Sequence, residues 1–194
     1  MRNRTYCNIH TESFEMRLSG SGGQGLISAG VLLAEAIGLG DGKNVVQAQS
    51  YGPEARGGAT RCDVIVSDSE IYFPECTSYD ILLCLTQEAY DKYSGNLKPD
   101  GILIIDEDDV ESLTRANAIK VPFIRTAAEQ FGASIVANVI SLGFISEYTG
   151  IVSNSSLKNA VAERFSGTRH LDLNLKAVEL GFKLGKKMKK KKQS

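Results

Sequence analysis

Residues 20–25, Gly-Ser-Gly-Gly-Gln-Gly, have the composition of a loop that can approach a phosphate group closely. Gly20, Gly22 and Gly25 satisfy the pattern G-x-G-x-x-G, and the loop lies between a segment with strand-like alternation and one with helical periodicity. Glycine permits a tight turn, and the backbone N–H groups at a helix N-terminus can face an anion. The candidate cofactor-binding residues are therefore Gly20, Gly22, Gly23, Gln24 and Gly25.

One feature of this loop weighs against a conventional dinucleotide site. A NAD site carries Asp or Glu roughly 20 residues further on, at the end of the second strand, to hold the ribose hydroxyls. Here Gln47, Gln49 and Ser50 occupy that neighbourhood. Three interpretations stay open, namely NAD or FAD binding, binding of another anion or nucleotide, and a loop that is structural or faces another subunit.

A second loop, residues 51–58, combines charges with glycines. Glu54 and Arg56 stand two residues apart, and lone charges of this kind are rarely buried in a core. The loop follows the second predicted strand, whose carboxyl end is where ligands and partners dock in open α/β sheets. The alternative is an exposed turn with an incidental Glu–Arg pair. The candidate partner-facing residues are Tyr51, Gly52, Glu54, Arg56, Gly57 and Gly58.

Other cofactor motifs are incomplete in this sequence. Gly40-Asp41-Gly42 has the opening of a thiamine diphosphate motif, but residues 67–71 lack the Asn that such a motif needs for magnesium, so we interpret it as a helix-to-strand turn. The four cysteines include no CxxC pair, which excludes the ligand spacing of a zinc ribbon or an iron–sulfur cluster. We expect no metal ligands and no catalytic residues in this chain.

The elements that must position the two loops follow from hydrophobic patterning. Phe14, Met16 and Leu18 alternate with polar residues as in a strand, and residues 26–37 have helical periodicity. Further strands are predicted around 45–46 and over 62–66, 71–73, 79–85, 101–106 and 119–124, and further helices over 87–93, 126–132, 135–150, 155–165 and 173–189. This alternation predicts an α/β fold that is three-layer and Rossmann-like, with a mainly parallel sheet, helices on both faces and extra C-terminal helices.

Composition and length fit one globular domain. The chain has 194 residues, of which 42% are hydrophobic and 23% charged, which excludes a disordered protein. No apolar run reaches about 18 residues and no secretory signal is visible, so we expect a cytoplasmic protein that does not enter a membrane. The predicted organisation is a flexible arm over 1–13, a single α/β domain over 14–185 and a basic tail over 186–194.

Seven lysines lie between Lys183 and Lys192, and without them the formal net charge of −1 would be −8. We interpret this segment as a solvated helix end with cations near the helix C-terminus. Attraction to nucleic acid or to an acidic partner is the alternative. Because one basic tail on an acidic body is not a nucleic-acid footprint, we expect no nucleic-acid binding.

The two loops together resemble a known family. The Gly-Ser-Gly-Gly-Gln-Gly loop followed by Ser-x-Gly-Pro-Glu-x-Arg-Gly-Gly is similar to the gamma subunit of 2-oxoacid:ferredoxin oxidoreductases, and most to that of the 2-oxoglutarate:acceptor enzyme. The resemblance runs from Met16 to Gly185. It includes residues 138–143, Asn-Val-Ile-Ser-Leu-Gly, which are similar to an Asn-Met-x-x-Leu-Gly helix of the family.

The resemblance implies an accessory subunit of a multi-subunit enzyme, inactive alone. That enzyme oxidatively decarboxylates a 2-oxoacid, here 2-oxoglutarate, with coenzyme A as co-substrate, and gives acyl-CoA, carbon dioxide and reduced ferredoxin or a similar acceptor. Thiamine diphosphate, magnesium and iron–sulfur clusters would lie on the alpha, beta and ferredoxin-like delta subunits. Both loops would face these partners near the thiamine and coenzyme A sites, and contact of the first loop with coenzyme A phosphates is one extension. The rival interpretations are a stand-alone nucleotide-binding Rossmann-like protein and an interaction module whose lysine tail binds acidic surfaces.

Overall fold

A six-stranded sheet forms the centre of the structure, a computed structural model that describes residues 13–49 and 58–193. The strands are β1 (Ser13–Ser21), β2 (Asn44–Gln49), β3 (Ala59–Ser67), β4 (Tyr79–Cys84), β5 (Leu97–Asp106) and β6 (Ala118–Val121). The helices are α1 (Leu26–Glu35), α2 (Gln87–Tyr93), α3 (Phe123–Phe131), α4 (Ala137–Thr149), α5 (Asn154–Arg164) and α6 (Leu171–Gln193). The first twelve residues of the predicted arm lie outside the described residues.

The strand order is β2-β3-β1-β4-β5-β6. Strands β1, β4, β5 and β6 are parallel to their neighbours in that series, whereas β3 is antiparallel to both β1 and β2. The prediction of a mainly parallel α/β sheet is confirmed. Because β1 and β4 are paired in parallel, their carboxyl ends meet at one edge, as in other open α/β sheets.

The two faces of the sheet are covered unequally. Phe14, Met16 and Leu18 of β1 belong to a large core under α1, α3, α4, α5 and α6. Of the helices in the described ranges, α2 alone contributes to the core on the other face, through Ala89, Tyr90 and Tyr93. Irregular segments before β4 and after β5 complete that second core, so it is the thinner of the two layers.

One predicted strand is absent and one predicted boundary between a strand and a helix was wrong, and a proline explains part of each difference. Within the described residues, 71–73 form no strand, because β3 already pairs on both sides and Pro74 cannot donate to a ladder. The strand predicted over 119–124 ends at Val121, and α3 begins at Phe123 rather than Thr126. Pro122 lacks the N–H that a strand would need, and its restricted φ suits the start of a helix.

Helices α4 and α6 approach each other closely through glycines. A Cβ atom on Gly181 would lie 2.2 Å from the carbonyl oxygen of Ile140, and one on Gly143 would lie 2.3 Å from that of Val178. Helix α6 continues past Gly185 to Gln193, so the lysine-rich segment extends the helix across the predicted tail boundary. The division into arm, domain and tail stays a prediction. None of the helices within the described ranges has the combined length and apolar character that crossing a bilayer requires.

Asp41 joins the turn before β2 to the start of α5. Its carboxylate accepts hydrogen bonds from the Ser153 N–H at 2.8 Å, the Ser153 hydroxyl at 2.8 Å and the Ser156 hydroxyl at 2.6 Å. Partial burial alone would raise the pKa of Asp41, but these hydrogen bonds and nearby Lys43 hold it below its ordinary value. The Gly40-Asp41-Gly42 segment is therefore a turn before a strand, as predicted, and Asp41 anchors this turn to the start of α5.

Replacing Asp41 with Asn tests this anchor through its pH dependence. Because the folded-state pKa is lowered, the carboxylate stabilises the fold above the unfolded-state pKa of about 3.9, and the stabilisation is lost as pH falls through the folded value. We expect Asp41→Asn to lower the free energy of unfolding by about 1–2 kcal/mol at pH 7, measured by urea titration, and by less at pH 3.5. Asp68→Asn, which removes an exposed ion pair with Lys43, is the control and should change little. Equal losses at both pH values would contradict a charge-based anchor.

Candidate functional site

The first glycine loop lies at the carboxyl edge of the sheet, between β1 and α1. Its backbone turns through Gly23, with φ of 88°, and Gly25, with φ of 71°, both in the left-handed region that favours glycine. The side-chain oxygen of Gln24 accepts a hydrogen bond from the Ser21 N–H at 2.8 Å and closes the loop from inside. Gly22 and Gly23 are exposed, whereas Ser21, Gln24 and Gly25 are partly buried. The outermost part of the loop is thus bare backbone.

Asn138, the first polar residue of α4, holds the other end of this loop. Its side-chain NH₂ donates to the Gly25 carbonyl oxygen at 3.0 Å, and its side-chain oxygen accepts from the Val139 N–H at 2.7 Å. A Cβ atom on Gly25 would lie 2.5 Å from that NH₂ group. Asn138 therefore positions the loop, a role that sequence reasoning missed. Its signal was an amide side chain at the start of a helix whose residues, apart from Glu147, are all buried.

The glycines of the loop are required for different reasons. A Cβ atom on Gly20 would lie 2.2 Å from the Gln24 side-chain oxygen, so Gly20 and Gly25 are needed by the packing of the chain itself. Gly23 needs its positive φ. Gly22 has neither reason, since its φ is not positive and the nearest atom to an added Cβ among the described residues is the Thr60 hydroxyl, 3.8 Å away. The small size of Gly22 is explained by nothing in the described part of the chain.

A cavity of about 180 Å³ lies next to the loop. Gln24, Leu85, Ile124 and Ile135 line it, and Ile135 is 49% exposed although it is a large apolar residue. Pockets that bury a drug-sized ligand have volumes of roughly 300–1,000 Å³. This cavity is therefore too small to enclose a dinucleotide, and it is a partly apolar recess at the surface.

The second loop starts and ends beside the first. Tyr51, Gly52, Glu54, Arg56 and Gly57 lie outside the described residues, but the strands that flank the loop are described. Ala59, the first residue of β3, is paired with Ser21, the last residue of β1, and Gln49 at the end of β2 is paired with Cys62. Gly58 has φ of 135°. Both loops are therefore anchored at one sheet edge, and the partner-facing role of the second stays a prediction.

Beneath these anchors lies a buried ion pair that the sequence analysis did not identify. The guanidinium of Arg17 donates two hydrogen bonds of 2.6 Å to the two carboxylate oxygens of Asp63, its directly opposite partner in β3. Arg17 also donates to the Tyr79 hydroxyl, and it lies 4.3 Å and 4.8 Å from the ring centroids of Tyr79 and Tyr93. The signal in the sequence was a pair of opposite charges, Arg17 and Asp63, one within each of two predicted strands.

The pKa shifts in this cluster indicate structure rather than proton transfer. Burial alone would lower the pKa of Arg17, but the hydrogen bonds and charge of Asp63 raise it. Burial raises the pKa of Tyr79 to about 12, against the opposing effect of Arg17. Neither Arg17 nor Tyr79 titrates near neutral pH, so neither side chain provides an acid or base for catalysis.

Asp106 at the carboxyl end of β5 is also committed to internal contacts. One carboxylate oxygen accepts from the N–H groups of Asp108 and Asp109 at 3.1 and 3.3 Å, and the other accepts from the Ile124 N–H at 2.9 Å. Burial raises the pKa of Asp106, although these hydrogen bonds oppose the shift. The carboxylate joins the β5 turn to the start of α3.

The described cysteines are buried and unpaired thiols. Burial raises the pKa of Cys62 to about 11 and that of Cys84 to about 12, so both thiols are protonated and unreactive at neutral pH. Within residues 13–49 and 58–193, no group of three or more His, Cys, Asp or Glu side chains is arranged to hold a metal ion. Cys7 lies outside the described residues.

Comparison with known proteins identifies the family of this chain. The family described as pyruvate ferredoxin/flavodoxin oxidoreductase matches residues 15–184. The 2-oxoglutarate synthase subunit KorC of Methanocaldococcus jannaschii is 44% identical over 179 residues, which cover 90% of this chain and 95% of that protein.

Two solved structures have the same fold. The gamma subunit of a keto/oxoacid ferredoxin oxidoreductase from Geobacter sulfurreducens is 46% identical, with a TM-score of 0.79, over 89% of this chain and 98% of that one. A chain of the 2-oxoglutarate:ferredoxin oxidoreductase of Magnetococcus marinus is 26% identical with a TM-score of 0.80, over 91% of this chain and 31% of that one. The resemblance noted from the two loops is confirmed, and this chain belongs to the pyruvate ferredoxin/flavodoxin oxidoreductase family, among relatives that are gamma subunits of 2-oxoacid:ferredoxin oxidoreductases.

Proposed function

We propose that this chain is the gamma subunit of a 2-oxoglutarate:ferredoxin oxidoreductase and that it has no catalytic activity alone. The observation that carries the proposal is the exposed backbone at Gly22 and Gly23, beside the anchors of the second loop. An exposed glycine whose small size no described residue requires is what close approach by another molecule needs. The substrate is proposed from the similarity to 2-oxoglutarate synthase subunits.

The donor groups of residues 13–49 and 58–193 do not fit thiamine diphosphate with magnesium, or an iron–sulfur cluster. Asp41, Asp63 and Asp106 are each hydrogen-bonded to groups within the chain. The described cysteines are buried apart from any ligand cluster. We therefore assign thiamine diphosphate, magnesium and the clusters to alpha, beta and ferredoxin-like delta partners, with ferredoxin or a similar protein as acceptor, and we derive no step of the reaction through this chain.

The role that this proposal leaves to the chain is to bind a partner subunit and to orient it at the carboxyl edge of the sheet. Gly22 and Gly23 present backbone N–H and carbonyl groups at the surface, and the adjacent recess presents the exposed side chain of Ile135. A partner surface that covers both would exclude water from the carboxyl edge. The Magnetococcus enzyme was solved with 2-oxoglutarate, coenzyme A and succinyl-CoA bound. Because the recess here measures only about 180 Å³, any coenzyme A held at this edge would be shared with a partner subunit.

A stand-alone nucleotide-binding protein is the rival function, and two observations weigh against it. The recess is too small for a dinucleotide, and β2 ends at Gln49 rather than at an acidic residue that could hold a ribose. Calorimetry of the isolated chain with NAD, FAD, AMP and coenzyme A separates the two functions. Micromolar binding of NAD or FAD by the chain alone would favour the rival.

Reconstitution tests the proposal that the catalytic groups lie on the partner subunits and that this chain has no activity alone. The isolated chain should give no 2-oxoglutarate-dependent reduction of a viologen dye, because the proposal assigns thiamine diphosphate and the iron–sulfur clusters to the partner subunits. Activity should appear when the chain is mixed with its partner subunits, and the partners without this chain serve as the control. Full activity from the purified chain alone would refute the proposal.

A substitution at Gly22 tests whether the loop faces a partner. Gly22→Ala should leave the unfolding temperature unchanged, because an added Cβ atom would meet no atom of residues 13–49 and 58–193 closer than 3.8 Å. It should lower turnover of the reconstituted enzyme or affinity for the partners by about tenfold or more, because the new atom enters a tight contact. Arg56→Ala extends the test to the second loop and should act in the same direction.

The matched control is Gly95→Ala. Gly95 is also an exposed glycine with nothing within 4 Å of an added Cβ among the described residues. It adjoins Asn96, whose side chain binds the Thr77 carbonyl oxygen near the amino ends of β4 and β5. If Gly22→Ala and Gly95→Ala both reconstitute like the unaltered chain, the assignment of the glycine loop is wrong.

A further inference from the structure

Tyr72 and Phe73 are adjacent aromatic side chains that lie on the surface. Each is 82% exposed, and the other large apolar side chains of the described residues with high exposure, Leu39 and Ile135, lie elsewhere in the chain. Aromatic side chains contribute strongly to protein interfaces, and contiguous exposed apolar surface marks interaction sites. Neither residue belongs to the edge formed by the two loops.

The backbone that carries these aromatic side chains is held in place on both sides. Before them, Ile71 packs against the second core, and after them Cys76 is buried in it. The carbonyl oxygen of Cys76 accepts a hydrogen bond from Arg17 at 3.4 Å, and that of Thr77 accepts one from Asn96 at 3.1 Å. The two rings are therefore presented by an anchored segment rather than by a loose loop tip.

The position of this segment separates it from the glycine loop. It leaves β3 after Ser67, which is paired with Ser13 at the amino end of β1 and with Asn44 at the amino end of β2. It returns at Ser78, whose N–H donates to the Glu15 side chain at 3.4 Å. The segment thus connects to the sheet edge opposite the glycine loop, and it lies over the face that only α2 among the described helices covers.

The charged side chains within the stretch that carries the aromatic pair are all acidic, although Asp68 and Asp80 at its two ends are paired with Lys43 and Lys98. Residues 68–80 contain Asp68, Glu70, Glu75 and Asp80 and no Lys or Arg. Glu70 and Glu75, which flank the pair, are exposed, and the Glu70 carboxylate accepts from the Tyr72 hydroxyl at 3.1 Å. An aromatic centre with a carboxylate rim is complementary to an apolar pocket bordered by Lys and Arg.

We propose that the aromatic segment, residues 70–75, docks into an apolar pocket rimmed by basic side chains on another subunit of the same oxidoreductase. The inference rests on the proposed assembly of this chain into a multi-subunit enzyme, and it adds a second interface on the edge opposite the glycine loop. The chain then contacts its complex on two sides, with the glycine loop near the cofactors and the aromatic segment as a separate attachment point.

The test compares variants of the full chain for binding to the partner subunits. Tyr72→Ser with Phe73→Ser should keep the unfolding temperature of the unaltered chain, because both side chains are exposed, and should weaken binding about thirtyfold or more. Leu39→Ser, which removes another apolar side chain that is 85% exposed, is the matched control and should bind normally. Glu70→Lys with Glu75→Lys should also weaken binding and should reduce its dependence on salt.

The outcomes distinguish this inference from the proposed function. If the unaltered chain reconstitutes activity and the aromatic double variant binds equally well, the inference fails alone. If the unaltered chain binds no partner, the proposed function fails and the inference fails with it. If the aromatic pair instead mediates self-association of the chain, seen as a concentration-dependent dimer that the double variant abolishes, the partner is a second copy and the inference is overturned.

Discussion

The position of the candidate site depends on one buried ion pair. Burial of two charges is unfavourable unless their hydrogen-bonding groups are satisfied, and here Arg17 and Asp63 are joined twice and Arg17 is enclosed by Tyr79 and Tyr93. The pair is formed by directly opposite residues of β1 and β3. A shift of one residue in this register would place Arg17 opposite an apolar residue and turn the strand's apolar side chains away from their core. The pair therefore favours the register that brings the ends of the two loops together.

With that register, polar side chains are committed to contacts inside the chain, whereas backbone groups are left at its surface. Asp41 and Cys84, two groups that attract attention in the sequence, are hydrogen-bonded or buried inside the chain. In the first loop, what is exposed at the carboxyl edge is backbone, and nothing among the described residues explains the small size of Gly22. The proposed role, a subunit that contributes a shaped surface rather than reactive groups, accounts for both observations.

The sequence predicted what depends on local patterning and missed what depends on distant partners. The alternation of Phe14, Met16 and Leu18 identified β1, and the glycine pattern identified the loop after it. The strand predicted at 71–73 failed because an apolar run does not reveal whether a sheet has a position for it. The Arg17–Asp63 pair spans 46 residues and the Asn138–Gly25 contact spans 113, and no local pattern encodes either. The residues of the second loop lie largely outside the described structure, so that part of the candidate site stays as predicted.

Hydrogen–deuterium exchange of the chain, free and within the reconstituted active enzyme, tests most directly whether the glycine-loop edge faces a partner. The account predicts that exchange in peptides covering residues 18–26 and 48–60 slows on complex formation, whereas exchange in peptides covering α5 does not. An active complex in which both regions exchange as fast as in the free chain would contradict it.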